Sequence, residues 1–438
     1  MSASSKTPAI SIVVIAYKVA AYLERCLRSL ERQSCDDFEV IVVNDGSPDE
    51  SGAIAHGFEG RIGRLRVIDK LANEGAHLAR KTGCMASAGR YVLFLDGDDE
   101  LAPTAVDMLL HLAQGKRFDM LRFGRTVADD SGEAPAQAFN DEAHFNASPR
   151  FLEGSDIARD IYGDDSHSTW SIIDVLFDGD FARDGFAVMT DEQLGRMQDS
   201  YEMFVLSKRA HTYYSVQEYH ALVYHLGSGV SGHGMRSISA FLAGQHGMQL
   251  SCSALLEHAQ TLGGEALHLA QNYRARMVET VSVEWASRVK LDQQADCFPE
   301  LVSIWGVDFA LCVLLGPLNG RLAWLLNEDD KASYKMDIYM LAWEEALAKV
   351  DYERLDLSIS GERLATYKEL RAKMDDRIAV LYADEEPMTD EPEKAEPADR
   401  LEDELTENQL GQTVGGMART VEGGRLARFA RLIKHTDK

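Results

Sequence analysis

Four short apolar runs, each followed by a helical stretch and polar residues, constrain this chain more than any other feature in it. ISIVVIAY (10–17) is continuous and β-branched, the pattern of a strand buried on both faces of a parallel sheet. AAYLERCLRSLERQ (20–33) follows, with Leu23, Cys26, Leu27 and Leu30 on one helical stripe. FEVIVVNDGS (38–47) repeats the strand and ends in turn residues, and SPDESGAIAHGF (47–58) begins like a capped helix. LRVID (65–69) is a third strand, and EGAHLARKTGCMASAG (74–89) is a helix closed by glycine. YVLFLDGDDE (91–100) is a fourth strand that runs straight into acids. Strands and helices alternating at this length make βαβ units. The expected fold is therefore α/β, with a doubly wound, mostly parallel sheet.

Beyond residue 125 the pattern loosens. Residues 126–168 are polar and rich in Gly and Asp, 169–232 are mixed, and helical periodicity dominates from 235 to about 383. The expected organisation is an α/β domain over 1–232 and a mainly α-helical region over 233–383. An acidic, proline-bearing linker follows over 384–405, then a tail over 406–438. The linker begins with DEEPMTDEPEKAEPAD, mostly acids with three of the chain's ten prolines, a composition that stays extended and solvated. In the tail, GGRLARFARLIKH (423–435) interleaves Arg425, Arg428, Arg431 and Lys434 with Leu426, Phe429, Leu432 and Ile433. That pattern suits peripheral contact with an anionic membrane surface, and equally a terminal helix solvated or docked on protein.

Composition narrows the function classes. With 438 residues and 45% apolar side chains the chain can bury a large core. A net charge of −26 argues against nucleic-acid binding, which needs clustered Lys and Arg to neutralise phosphates. The six cysteines are spread singly, without C-x-x-C spacing, and are expected to be reduced core thiols. The start, MSASSKTP, has no charged segment followed by an apolar run, so a cytoplasmic protein is expected. VDFALCVLLG (307–316) and LAWLLN (322–327) are each too short to span a bilayer, which leaves at most a peripheral place at the membrane's inner face.

In a doubly wound sheet, ligands collect beyond the carboxyl ends of the strands. Those ends carry Tyr17, Asn44, Asp45, the nearby Asn73, and Asp96, Asp98 and Asp99. A turn or helix cap would account for any single one of them, but not as readily for the set. No G-x-G-x-x-G follows the first strand and no P-loop is present. Clustered carboxylates instead hold a diphosphate through Mg²⁺ or Mn²⁺, which can stabilise a departing diphosphate as a Lewis acid.

The segments ISIVVIAYK, VIVVNDGSPDES, NEGAHLARKTG and ASAGRYVLFLDGDD, in this order and spacing, resemble the family 2 glycosyltransferases with the GT-A fold. The resemblance covers residues 8–125 well and 169–232 loosely. It implies that Tyr17 lies against a nucleobase and that Asp45 accepts a hydrogen bond from the base edge, with Asn44 standing where relatives often have another acid. Asn73 and Arg80 match the family's Asn and Arg, the latter at the donor pocket or its diphosphate. Asp96 and Asp98 become the ends of an Asp-x-Asp motif, one toward ribose and one toward metal, with Asp99 a further candidate for either.

The resemblance also places a general base in RMQDSYEMFVLSKRA, where Gln198 replaces the family's Glu and Asp199 stands at the base position. Glu202, Asp191 and Glu192 are its rivals, and the macrodipole alone would also favour an acid at Asp199. Trp170 stands at an acceptor-lining position that a core Trp would also satisfy. His225 and His233 are candidates to complete the metal shell or touch diphosphate. The implied function is metal-dependent inverting transfer from a nucleotide-sugar, a UDP-sugar by preference, to a saccharide or lipid-linked hydroxyl in cell-surface polysaccharide or glycoconjugate synthesis. The alternative is a weak or inactive relative serving as a nucleotide-binding assembly subunit. A nucleotidyltransferase is disfavoured, since AYKVAAYLERC lacks the glycine-rich basic loop after the first strand.

Overall fold

The four runs form one end of a sheet of nine strands among the described residues, three of them buried because their side chains are apolar on both faces, with LRVID at the half-buried edge. A computed structural model describes residues 7–130, 132, 135–146, 150–164, 168–227, 234–327, 337–354 and 357–382. The expected linker at 384–405, the tail at 406–438 with its basic segment 423–435, and His233 lie outside the described residues. β1 (Ile10–Ala16), β2 (Phe38–Asn44), β3 (Leu65–Asp69) and β4 (Tyr91–Asp96) pair in parallel in the order β3-β2-β1-β4. The register sets their ends level: Ala16 lies opposite Asn44, Asn44 opposite Asp69, and Ile15 opposite Asp96. The polar residues that follow each strand therefore emerge along one edge.

The other half of the sheet departs from the mostly parallel expectation. β5 (Glu100–Leu101), β6 (Met120–Ala128), β7 (Arg150–Glu153), β8 (Val175–Asp178) and β9 (Thr212–His225) extend the order as β4-β8-β6-β9-β5, with β7 also on β9. β8 runs antiparallel to both β4 and β6, and β5 and β7 run antiparallel to β9, whereas β6 and β9 are parallel. Strands of two to four residues carry no readable period, which is why the sequence did not disclose them.

Helices cover the sheet as their stripes dictate. α1 (Ala20–Glu31) buries Leu23, Cys26, Leu27 and Leu30, the stripe read from the sequence. α2 (Ser51–His56) follows β2, and α3 (Ala76–Ala86) packs on β1 and β2 through Ala79, Gly83 and Cys84. α4 (Ala105–Ala113), α5 (Pro135–Phe145), α6 (Ser155–Tyr162), α7 (Gly179–Ala187) and α8 (Gln198–Arg209) complete the α/β part. The six cysteines are free, five of them buried.

The chain divides into two compact units, one of Met1–His233 with Leu250–Gln271, the other of Gly234–Gln249 with Asn272–Lys438. The long helices α9 (Ile238–Leu262) and α10 (Gly264–Arg288) each contribute residues to both units. The second unit continues with α11 (Leu291–Trp305), α12 (Val307–Val313), α13 (Asn319–Asn327), α14 (Ile338–Ala348) and α15 (Leu357–Tyr382). Its core gathers Trp285, Phe298, Phe309 and Trp343 in edge and tilted ring contacts. Gln294 accepts both indole N–H groups, from Trp285 at 3.1 Å and Trp343 at 2.7 Å.

One expectation is corrected here. The two apolar strings judged too short for a bilayer are joined by a π turn at Leu314–Leu318, around Pro317, into one helical run, Val307–Asn327. The run is 21 residues long and its most apolar 18-residue stretch has a mean hydropathy of 1.6, which meets the length and composition of a membrane span, yet more than half of that stretch is buried within the protein. A proline cannot donate to the i−4 carbonyl, and a single π turn absorbs that loss without ending the helix.

Gly83 tests the packing of α3 on the sheet. A Cβ there would lie 2.2 Å from Val13 Cγ1. Helix propensity favours Gly83→Ala by about 1 kcal/mol, but overpacking costs about 1–3 kcal/mol. The substitution should therefore lower the thermal midpoint, measured by circular dichroism.

Candidate active site

The level strand ends bring Tyr17, Asp45, Asp96, Asp98 and Asp99 to one edge, and local geometry decides what each can do. Gly46 turns the chain after β2 at a φ of +65°, where a Cβ would lie 2.5 Å from the Ala72 carbonyl carbon. Only glycine fits both the left-handed backbone and that approach. The turn buries the Asp45 carboxylate, which accepts from Asn73 Nδ2 at 2.7 Å, Gly75 N at 2.8 Å and Glu74 N at 3.1 Å. Lys70 Nζ stands 3.5 Å away. Asp45 and Asn73 thus meet each other, and Asp45 anchors the loop between β3 and α3 with both oxygens engaged. A base edge would have to share them. Asn44 joins the same turn, donating to Asp69 at 2.8 Å and accepting from Ser47 N. Tyr17 is 39% exposed, leaving a ring face beside the strand ends, with the Lys18 ammonium 5.1 Å from its centroid.

Asp96 closes β4, and Gly97 donates its N–H to Ile15 O at 3.0 Å. A Cβ at Gly97 would sit 2.9 Å from that oxygen, so the run must be Asp-Gly-Asp to turn so close to β1. Asp96, Asp98 and Asp99 each offer a carboxylate oxygen, all within 4.8 Å of one another. Asp99 is buried and accepts the His225 backbone N–H at 2.9 Å, while its Oδ2 is buried without a hydrogen-bond partner. Burial, then the charges of Asp98 and Asp96, push its pKa well above the carboxylate range. Three carboxylates this close, one with an orphaned oxygen, form a donor set that fits a hard divalent cation.

Arg80 supplies countercharge. Buried on α3, it donates to Asp96 Oδ1 at 3.0 Å and to Glu202 Oε2 at 3.1 Å. Burial works against its charge, but Asp96 and Glu202 outweigh burial and raise its pKa above the ordinary arginine value.

The His225 ring does not serve the acid cluster. Its Nε2 lies 2.9 Å from Glu100 Oε1 and its Nδ1 2.9 Å from Asp130 Oδ2, so both ring nitrogens are taken by carboxylates. Arg25 donates to Asp130 at 2.6 Å and to the Asp98 carbonyl at 3.1 Å. Burial is the largest influence on Asp130, yet hydrogen bonds from Arg25 and His225 overcome it and lower its pKa. As a ligand His225 would have to surrender a carboxylate, and it reaches the cluster through its backbone N–H instead.

Asp199 lies in the first turn of α8, after Met197, which takes a left-handed φ of 66°. Its Oδ1 accepts the Ser200 N–H at 3.0 Å. Burial pushes its pKa up to about 6; Arg80 opposes this, and Glu202 and Asp96 add to it. Its rivals are placed differently. Glu202 is buried and held by His77 Nδ1 at 2.9 Å as well as by Arg80. Asp191 is exposed and paired with Lys81 at 2.6 Å, and Glu192 is exposed.

Trp170 is half-buried in the segment before β8. Arg122 holds that segment, donating to the carbonyls of Thr169 and Ser171 and pairing with Asp174 at 2.8 Å. Arg125 meets the other Asp174 oxygen at 2.6 Å. The sequence reading missed this buried trio and His77. Two arginines three apart inside the apolar run MLRFGRTV were the available signal, since a charge on a buried strand needs a partner.

A family model described as glycosyl transferase family 2 matches residues 11–173. The chain carries a family 2 glycosyltransferase domain. The matched segment takes in the Asp45 turn, Arg80, the acidic run and Trp170, and it ends before Asp199. An uncharacterized glycosyltransferase of Bacillus subtilis, EpsJ, is 42% identical over 117 residues, 27% of this chain and 34% of that protein. A PGL/p-HBAD biosynthesis glycosyltransferase of Mycobacterium bovis is 38% identical over 94 residues, 22% of this chain and 37% of that protein. The matches thus span about a third of the length of these curated relatives. S. aureus TarS 1–349, solved in complex with UDP, aligns with a TM-score of 0.49 and 17% identity over 76% of this chain and 90% of that one.

Removing the Asp45 carboxylate would leave two backbone N–H groups and an amide without their acceptor. A buried donor left unsatisfied costs about 1–3 kcal/mol. Asp45→Ala in the transferase domain should lower stability by at least that much in urea melts.

Proposed function

We propose that the chain is a metal-dependent inverting glycosyltransferase that moves a sugar from a nucleotide-sugar, taken to be a UDP-sugar, to a hydroxyl acceptor. The observation that carries this reading is the convergence of Asp96, Asp98 and Asp99 within 4.8 Å, beside an acid, Asp199, whose pKa is raised to about 6. Asp96, Asp98 and Asp99 would hold Mn²⁺ or Mg²⁺, which when bound neutralises charge developing on the leaving diphosphate. The Tyr17 ring offers a stacking face for the base. Asp45 and Asn73 shape the loop beside it, and Arg80 fixes Asp96. Trp170, on the segment held by Arg122, lines the acceptor side. His225 braces the acidic run.

Asp199 is the general base, taking the acceptor proton as the hydroxyl oxygen attacks the anomeric carbon. A carboxylate with a pKa near 6 is mostly ionised at pH 7 and more basic than an ordinary Asp, which suits that task. The acceptor is proposed to be a saccharide or lipid-linked hydroxyl of a cell-surface polysaccharide or glycoconjugate. The basic segment 423–435 is proposed to make peripheral membrane contact. The 1–232 and 233–383 division is kept as the working domain organisation.

Asp98→Ala should abolish Mn²⁺-dependent stabilisation by UDP in thermal-shift measurements, together with donor hydrolysis. Wild-type behaviour in that variant would remove the metal assignment. Asp199→Asn should retain UDP affinity and lose at least about 100-fold in kcat. In the unsubstituted protein, kcat should rise with pH through about 6, because the base acts only when deprotonated; a flat profile from pH 5 to 8 would move the base elsewhere. UDP binding without turnover of any sugar nucleotide would favour the assembly-subunit reading, to which Gln198, in place of an acid, already points.

A further inference from the structure

Glu202 and His77 are two fully buried ionisable groups that the transfer scheme leaves without a task. Their contacts form one line. His77 Nε2 donates to the Thr190 carbonyl at 3.0 Å, and its Nδ1 meets Glu202 Oε1 at 2.9 Å. Glu202 Oε2 accepts from Arg80 Nη1, whose other terminal nitrogen, Nη2, reaches Asp96 Oδ1. The line starts in the segment before α8, passes from α3 to α8 and back to α3, and ends on the acidic run. Burying a carboxylate and an imidazole costs several kcal/mol unless they are paired, and an apolar pair would fill the same space without that cost.

The geometry gives the pair a purpose. Asp199 and Glu202 lie three residues apart on α8 and share a face. By gripping Arg80 from α8 while Arg80 grips Asp96 on β4, Glu202 fixes the distance between the base-bearing helix and the metal-bearing strand end. Arg80 alone would be free to fold both terminal nitrogens onto Asp96 and compete with a cation for it. His77 holds Glu202 in turn. The Thr190 segment is tied down as well, by Tyr201 OH at 2.9 Å and by Lys81.

We propose that Glu202, braced by His77, is a positioning residue for sugar transfer, holding Arg80 so that Asp96 stays available to the metal and Asp199 stays in register with it. This rests on the transferase reading above. Glu202 touches neither donor nor acceptor, so its loss should spare donor binding more than turnover. It also contributes negative charge beside Asp199, so neutralising it should lower the Asp199 pKa.

The test is steady-state donor turnover, with Mn²⁺, by the full chain carrying Glu202→Gln, which keeps the shape and removes the charge. The expected result is a kcat reduced about 10- to 100-fold with donor KM within about twofold. The acid limb of the pH–rate profile should also move to lower pH. A folded variant with wild-type kcat and an unmoved acid limb would overturn the proposal, even if its thermal midpoint fell, because a merely structural role predicts only that. Should Glu202→Gln fail to fold, His77→Gln removes the brace and leaves the charge. It should lower kcat at unchanged KM, and unchanged kcat would count against the proposal. Absence of turnover in the unsubstituted protein, with any sugar nucleotide, would instead overturn the transferase reading and this inference with it.

Discussion

One guanidinium holds the acid edge of this protein together. Arg80 sits buried between Asp96 and Glu202, within the field of Asp199, and its charge opposes the burial that pushes the Asp199 pKa upward. Removing one partner of such a buried group costs about 3–5 kcal/mol, because the charge left behind is neither paired nor hydrated. The arrangement is accordingly stiff: α3 lends the arginine, β4 and α8 lend the acids, and none can shift without uncovering a charge. Stiffness of this kind limits how far the edge can reorganise when charge nearby changes.

The acid cluster exists because four strands end together. Parallel strands in register with Ile10, Phe38 and Tyr91 side by side finish level, and the residue after each strand has nowhere to go but the shared edge. Gly46 and Gly97 let the chain turn at once, in places where a Cβ would strike backbone 2.5 and 2.9 Å away. The chemistry is thus a product of strand length and two missing side chains as much as of the aspartates.

That half of the molecule was legible in the sequence for the same reason. Continuous β-branched runs admit few alternatives to buried parallel strands, and acids gathered at their ends mark the edge where ligands collect. The other half was less open. β5, β7 and β8 are too short to show alternation, and β8 enters against the direction of its neighbours. Arg122, Arg125 and Asp174 went unread until β6 placed the two arginines inside. Glu202 looked like a spare base, but its helical phase turns it toward His77, which carried no pattern of its own. The two apolar strings at 307–316 and 322–327 were judged one at a time, and a π turn containing Pro317 joins them into one helix. What the sequence hid was pairing between distant residues, since composition records that a charge is present and not what neutralises it.

The strand order has a consequence for how such a protein can diversify. Every strand from β3 to β4 comes from one uninterrupted stretch, residues 10–96, whereas the strands beyond β4 are drawn from residues 100–225 in shuffled order. Insertions, deletions or exchanges in the later stretch can remodel the antiparallel half of the sheet without cutting into the chain that forms the level parallel strands. Change in the two halves of the sheet is thereby separated along the gene, and the parallel half can be inherited as a block.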